Sequence, residues 1–178
     1  LYLTIIGAMI AAPITTLYLY LPDHLDSLGY SYLEMGLLLG AHSAFAAIGG
    51  YYAHKLEKKY KEKKILYFIP LFMVISFWLV LIDDAIIIPF ILLGFFDSIF
   101  YVVLGDYINR IVPSEIRATA LSYGGLMFSL VMVIIFPLIG LIAELNGLWT
   151  GYLILAIITS LFYLFLLRVL SGNNLDKI

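Results

Sequence analysis

Asp97 stands near the middle of a long apolar run, within Gly94-Phe95-Phe96-Asp97-Ser98-Ile99-Phe100-Tyr101. A carboxylate at the centre of a bilayer costs at least about 2.5–3.5 kcal/mol, so it must face a partner or a wet cavity. Loss of water favours the neutral carboxyl, and an Asp at this depth can therefore take up and release a proton. Tyr101 follows at i+4 and shares its face, with Phe90, Gly94 and Leu104 above and below. Together with Phe95, Phe96 and Phe100 this makes a candidate patch for proton coupling or substrate binding: one ionisable group and an aromatic wall. A static interhelical hydrogen bond is the other reading of Asp97.

His42 is the second candidate. It falls at the middle of a different apolar segment, and imidazole titrates in the physiological range. A His42–Asp97 pair would be a proton relay if the two faces meet; otherwise His42 is a neutral ring hydrogen-bonded inside the helix pack. Thr4, Ala8, Ala11, Thr15 and Tyr18 recur at helical spacing and make one small, mildly polar stripe. Such a stripe fits either close helix packing or the wall of a polar cavity, where Thr15 and Tyr18 would touch substrate. Metal chemistry is not expected, since the chain has no cysteine and His24, His42 and His54 fall at outer, middle and inner depths. Ser98 beside Asp97 has no second-helix base except His42, so an intramembrane enzyme is not expected either.

These residues need helices to position them, and composition says where those helices lie. A chain that is 63% hydrophobic and 12% charged, with mean hydropathy +1.06, cannot hide its apolar surface inside a 178-residue soluble core. Apolar runs of roughly twenty residues at 1.5 Å each match a hydrocarbon core of about 30 Å. The pattern predicts an all-α membrane protein, one bundle over 1–178 with six transmembrane helices at about 1–21, 31–54, 65–82, 85–109, 115–143 and 148–169. Pro13 kinks the first, and Pro22 ends it. Ser31 and Glu34 form an S-x-x-E capping box at the start of the second. Gly36, Gly40, Ala44 and Ala47 predict a neighbouring helix packed tightly on that segment. The third and sixth are poorest in polar groups and are expected to face lipid. Asp83-Asp84 and Asn146-Gly147 make turns. Leu1 starts directly in an apolar segment without a basic n-region, so no signal peptide is expected and the chain is expected to be part of something longer.

Charge then orients the bundle. Lys55, Lys58, Lys59, Lys61, Lys63 and Lys64 put six of the ten basic residues between the second and third segments. With six crossings, Arg110, Arg117, Arg168 and Lys177 fall on that same side, while Asp23, Asp26, Asp83, Asp84 and Glu144 fall on the other. The positive-inside rule makes the Lys-rich side and both termini cytoplasmic. The net charge of −2 is segregated by side, and nothing reads as a nucleic-acid patch. Asp106 and Arg110, at i and i+4, can pair across one helical turn. With Arg117 they make either a gate on the cytoplasmic side or an interfacial ion pair of small value.

Gly50-Tyr51-Tyr52-Ala53-His54-Lys55-Leu56-Glu57-Lys58-Lys59 resembles the cytoplasmic signature loop of the major facilitator superfamily. Asn109-Arg110-Ile111-Val112-Pro113-Ser114-Glu115-Ile116-Arg117, followed by Phe136-Pro137-Leu138-Ile139-Gly140, is similar to the link and helix between that family's tenth and eleventh spans. The resemblance covers essentially the whole chain and implies half of the family's fold, the C-terminal spans seven to twelve. His54 stands where the family's loop usually has an acid. The resemblance implies that Gly50, Lys55 and Lys58 help hold the cytoplasmic side closed, and that the first and fourth helices line a central cavity. It also implies the partners: the lipid bilayer, a small-molecule substrate and a missing N-terminal six-helix half.

The expected function is therefore secondary active transport by alternating access, in an integral protein of a prokaryotic plasma membrane, with no cofactor beyond a proton gradient. The aromatic cluster around Asp97, and the lack of a basic residue in the hydrocarbon centre, point to proton-coupled efflux of an amphiphilic or drug-like molecule. Sugar or metabolite uptake by the same mechanism is the alternative, and a non-catalytic six-helix scaffold or channel is a further one.

Overall fold

The structure, a computed structural model, describes residues 2–82 and 85–172. Asp83, Asp84, Lys177 and the rest of the tail lie outside the described residues. Six helices follow one another: α1 (Tyr2–Ser27), α2 (Tyr32–Tyr60), α3 (Glu62–Val80), α4 (Ile87–Ile111), α5 (Ser114–Asn146) and α6 (Leu148–Gly172). Each is long and apolar enough to cross a membrane.

Local chemistry explains most of the boundaries. At the start of α2 the Glu34 amide donates to Ser31 Oγ at 3.3 Å and the Ser31 amide donates to Glu34 Oε2 at 2.8 Å, a complete capping box. Gly147 alone joins α5 to α6 at φ +86, a conformation that glycine adopts without a Cβ penalty. Two boundaries differ from the sequence pattern. α1 continues through Pro22 to Ser27, because its last turn buries His24 and Leu25 and this packing offsets the hydrogen bond that proline removes. α2 runs on to Tyr60, so His54 to Lys59 project from a helix rather than a loop. Leu, Glu and Lys are strong helix formers, and the polar turns continue the helix into water.

The helices pair in a way that repeats. α2 packs on α4 and α5 packs on α1; α3 packs on α4 and α6 on α1; α3 and α6 meet behind. Exchanging α1 with α4, α2 with α5 and α3 with α6 maps one set of contacts onto the other. Three crossings are an odd number, so the second triplet starts on the opposite side of the membrane from the first. The bundle is thus an inverted pair of three-helix units.

α1 is the most buried helix, while α2 and α5 bury least. Apolar content had pointed to α3 and α6 as the exposed pair. They do present apolar faces, through Phe68 and Phe72 on α3 and Leu161 and Leu164 on α6. Yet α3 buries as much as α4, because lipid tails and neighbouring side chains are equally apolar and composition does not separate them.

Candidate functional site

α2 and α4 meet along glycines. The backbone of Phe95 crosses Gly49 so closely that a Cβ there would collide with the Phe95 carbonyl, and a Cβ on Gly94 would lie 2.8 Å from the carbonyl oxygen of His42. Gly50 faces Ser98 in the same seam. The predicted small-residue contact at Gly36 and Gly40 is not made within the chain: nothing approaches either glycine, and Ala44 and Ala47 are exposed with them. Helical spacing puts Gly36, Gly40, Ala44 and Ala47 on one face of α2. Only the tertiary arrangement shows that the seam uses the other face.

That seam sets His42. Its Nδ1 lies 2.9 Å from the carbonyl oxygen of Phe90, its ring stacks on Phe90 at 4.4 Å between centroids, and Tyr18 of α1 packs against it at 5.3 Å. Residues from α1, α2 and α4 thus form one aromatic cluster, with His42 and Phe90 buried and Tyr18 part-buried, and the His42 ring is hydrogen-bonded inside the helix pack. Thr15, one turn before Tyr18, donates its hydroxyl to the Ala11 carbonyl of its own helix at 3.1 Å.

Asp97 lies two turns beyond Phe90 on α4 and is part-buried. Among the described residues no group is hydrogen-bonded to it and no charge stands beside it. Tyr101, one turn on, is 74% exposed, so the face that the two share opens to the surface at Tyr101 while Asp97 itself is part-buried. Phe96 is different: its ring stacks on Phe72 of α3 at 5.2 Å and belongs to the α3–α4 seam rather than to Tyr101's face. No contact between His42 and Asp97 is present among the described residues.

The Lys-rich end carries an ion-pair network that sequence spacing did not reveal. Arg110 of α4 pairs with Glu57 of α2 and Glu62 of α3. Asp106 turns to α2, with an oxygen 3.1 Å from Nδ1 of His54, so the expected pair between the Asp106 and Arg110 side chains does not form. Instead Arg110 Nε donates to the Asp106 backbone carbonyl at 3.4 Å. Three helices are tied together at one end: His54 and Arg110 are exposed, Asp106 and Glu62 part-buried, and the Glu57 side chain is only 12% exposed. His54, Glu57 and Asp106 could offer a cation ligand atoms within 4.8 Å of one another. Arg110 already supplies the positive charge on Glu57, and the cluster is best described as a protein ion-pair network. Lys55 lies over the rings of Tyr51 and Tyr52, a cation–π contact. Lys58 borders a cleft of about 700 Å³ above the network. Arg117 donates to the Val112 carbonyl at 3.4 Å, bracing the link between α4 and α5. None of the residues bordering this cleft, or a second one of about 340 Å³ at the same end, is Asp97.

Comparison with known proteins places this arrangement. No curated protein sequence matches the chain. Among solved structures, the inward-open conformation of the xylose transporter XylE from E. coli superposes with a TM-score of 0.72 at 13% identity, covering 93% of this chain and 46% of that one. The likeness is one of fold, and the chain spans about half the length of that transporter. The model of the Major Facilitator Superfamily matches residues 3–175, and with the six-helix inverted repeat already described, the chain belongs to that superfamily.

Proposed function

We propose that this chain is the C-terminal half of a secondary transporter that works by alternating access, and that Asp97 is its proton-coupling group. The observation that carries the reading is on α4: an unpartnered, part-buried carboxyl midway along the helix, Asp97, one turn from the exposed ring of Tyr101. An acid so placed is costly unless a wet cavity or a facing partner receives it. A second six-helix half, packed across α1, α2, α4 and α5, would supply the other wall of that cavity. Membership of a transporter family sets aside the intramembrane-enzyme reading.

The substrate we favour is amphiphilic or aromatic, moved outward in exchange for protons. The hydrocarbon stretches of the six helices contain no Gln, and their only Asn residues, Asn109 and Asn146, stand at helix ends. Recognition of a polyhydroxylated ligand rests on several such hydrogen-bonding groups. Sugar uptake is the second reading, suggested by the likeness in fold to a xylose transporter; it would need those groups to come from the other half. In either reading the Lys-rich side faces the cytoplasm by the positive-inside rule, and the Glu57–Arg110–Glu62 and His54–Asp106 pairs, together with Gly50, Lys55, Lys58 and Arg117, steady that end while it is closed.

The test is reconstitution of the full-length chain in vesicles with an imposed pH gradient. The proposal expects a lipophilic cationic dye to move against its own gradient, and movement to stop when a protonophore collapses the pH difference. Xylose movement without dye movement would favour the second reading, and dye movement indifferent to the protonophore would remove proton coupling.

A further inference from the structure

A shallow groove of about 340 Å³ opens where α3 leaves the Lys-rich link, lined by Lys61, Lys63, Lys64, Tyr67, Phe68 and Tyr163. Its floor is closed by Tyr163 of α6, whose hydroxyl donates to the Tyr67 carbonyl of α3 at 3.2 Å. The wall is apolar and the rim is basic. From Phe68, 58% exposed, the apolar surface continues along one face of α3 through Phe72, Ile75 and Leu79, all exposed. That spacing of four, three and four residues follows one helical stripe, so the groove is the upper end of a track facing lipid.

Two features keep positive charge at the rim. Glu62, the acid of the link, is drawn to Arg110 on the far side, and among the described residues neither Lys61 nor Lys64 is paired with an acid. Lys61 is also the one described non-glycine residue with positive φ, at φ 62 and ψ 151, and it alone joins α2 to α3. Glycine is the residue such a backbone favours. A lysine there adopts an unfavourable backbone and borders both this groove and the cleft over the ion-pair network.

We propose that this groove binds an anionic phospholipid, its phosphate held by Lys61 and Lys64 and one acyl chain laid along the Phe68–Leu79 stripe. Basic pockets between transmembrane helices at the membrane surface hold anionic headgroups in this way. The apolar track selects a lipid over a free phosphate, because inorganic phosphate has nothing to place on it. This inference does not depend on which substrate is carried, or on whether transport is proton-coupled.

The experiment uses the full-length chain in vesicles of phosphatidylglycerol and phosphatidylcholine with matched acyl chains, extracted gently and weighed by native mass spectrometry. The wild type should retain phosphatidylglycerol in preference to phosphatidylcholine. The Lys61→Gly/Lys64→Gln variant, whose first change relieves the backbone, should lose about tenfold of that preference. Lys64→Gln alone should lose part of it, while Lys59→Gln, which removes the same charge outside the groove, should lose none. Helical content by circular dichroism confirms that each variant is folded, and Lys64→Gln provides the answer if the double variant is not. A wild type without preference overturns the proposal. So does an equal loss in Lys59→Gln and Lys64→Gln, which would mean diffuse attraction to the Lys-rich end, or full displacement of the lipid by inorganic phosphate, which would mean a free-anion site.

Discussion

The imidazole of His42 on α2 is held by the backbone of α4, its Nδ1 2.9 Å from the Phe90 carbonyl oxygen, with Gly94 one turn on leaving no room for a Cβ beside it. Closeness of α2 to α4 therefore depends on hydrogen in place of methyl at Gly49 and Gly94. Gly94→Ala should lower stability by about 1–3 kcal/mol, the usual range for overpacking a tight contact, and Gly49→Ala should do at least as much harm because its Cβ would come closer still to a backbone carbonyl, that of Phe95. Gly36→Ala and Gly40→Ala, which meet nothing within the chain, should cost the isolated six-helix bundle no stability and should raise it by up to about 1 kcal/mol through helix propensity. Thermal unfolding in detergent distinguishes the two pairs.

Phe96 and Tyr101 separate packing from function. Phe96→Ala removes the ring stacked on Phe72 and should lower stability by about 1–2 kcal/mol, from lost stacking and a partly filled cavity. Tyr101→Ala touches an exposed ring and should leave stability unchanged. In the full-length transporter it should instead raise the KM about threefold to tenfold, the loss of one aromatic contact to substrate. Measuring melting and transport on both variants tests the assignment of faces.

The network at the Lys-rich end is expected to act across helices. Arg110→Glu would put a third carboxylate beside Glu57 and Glu62, and should destabilise the bundle by about 1–3 kcal/mol because Glu57 is mostly buried. Adding Glu57→Arg should restore much of the loss. Asp106→Asn should cost less, about 0–1 kcal/mol, since its partner His54 is exposed. A double-mutant cycle on Arg110 and Glu57 reads the coupling directly.

Orientation is testable because the chain has no cysteine. A single cysteine at Lys59 should react with a membrane-impermeant maleimide only from the cytoplasmic face, and one at Asn146 only from the opposite face. Both reacting from the same side would contradict six crossings read with the positive-inside rule.

What sequence alone revealed divides along a physical line. Six apolar runs of membrane-spanning length, the capping box at Ser31 and Glu34, and the place of Asp97 midway along a helix all depend on neighbours along the chain, and all are legible in it. Partners are not. Spacing offers Asp106 and Arg110 to each other, but two helices from elsewhere in the chain supply the partners: His54 and Glu57 on α2 and Glu62 on α3. Gly36 and Gly40 looked like the packing face, while the seam runs through Gly49, Gly50 and Gly94. Period 3.6 tells which residues share a face and nothing about what that face meets. Phe96 shows the same limit: next to Asp97 in sequence, it points to another helix.

The most direct test of the account is the pH dependence of transport by Asp97→Asn in the full-length chain. Asparagine keeps the shape and cannot carry a proton, so the account predicts that substrate still binds and exchanges down its own gradient, while accumulation driven by a pH difference is lost. An Asp97→Asn protein that accumulates substrate with the pH dependence of the wild type would contradict it.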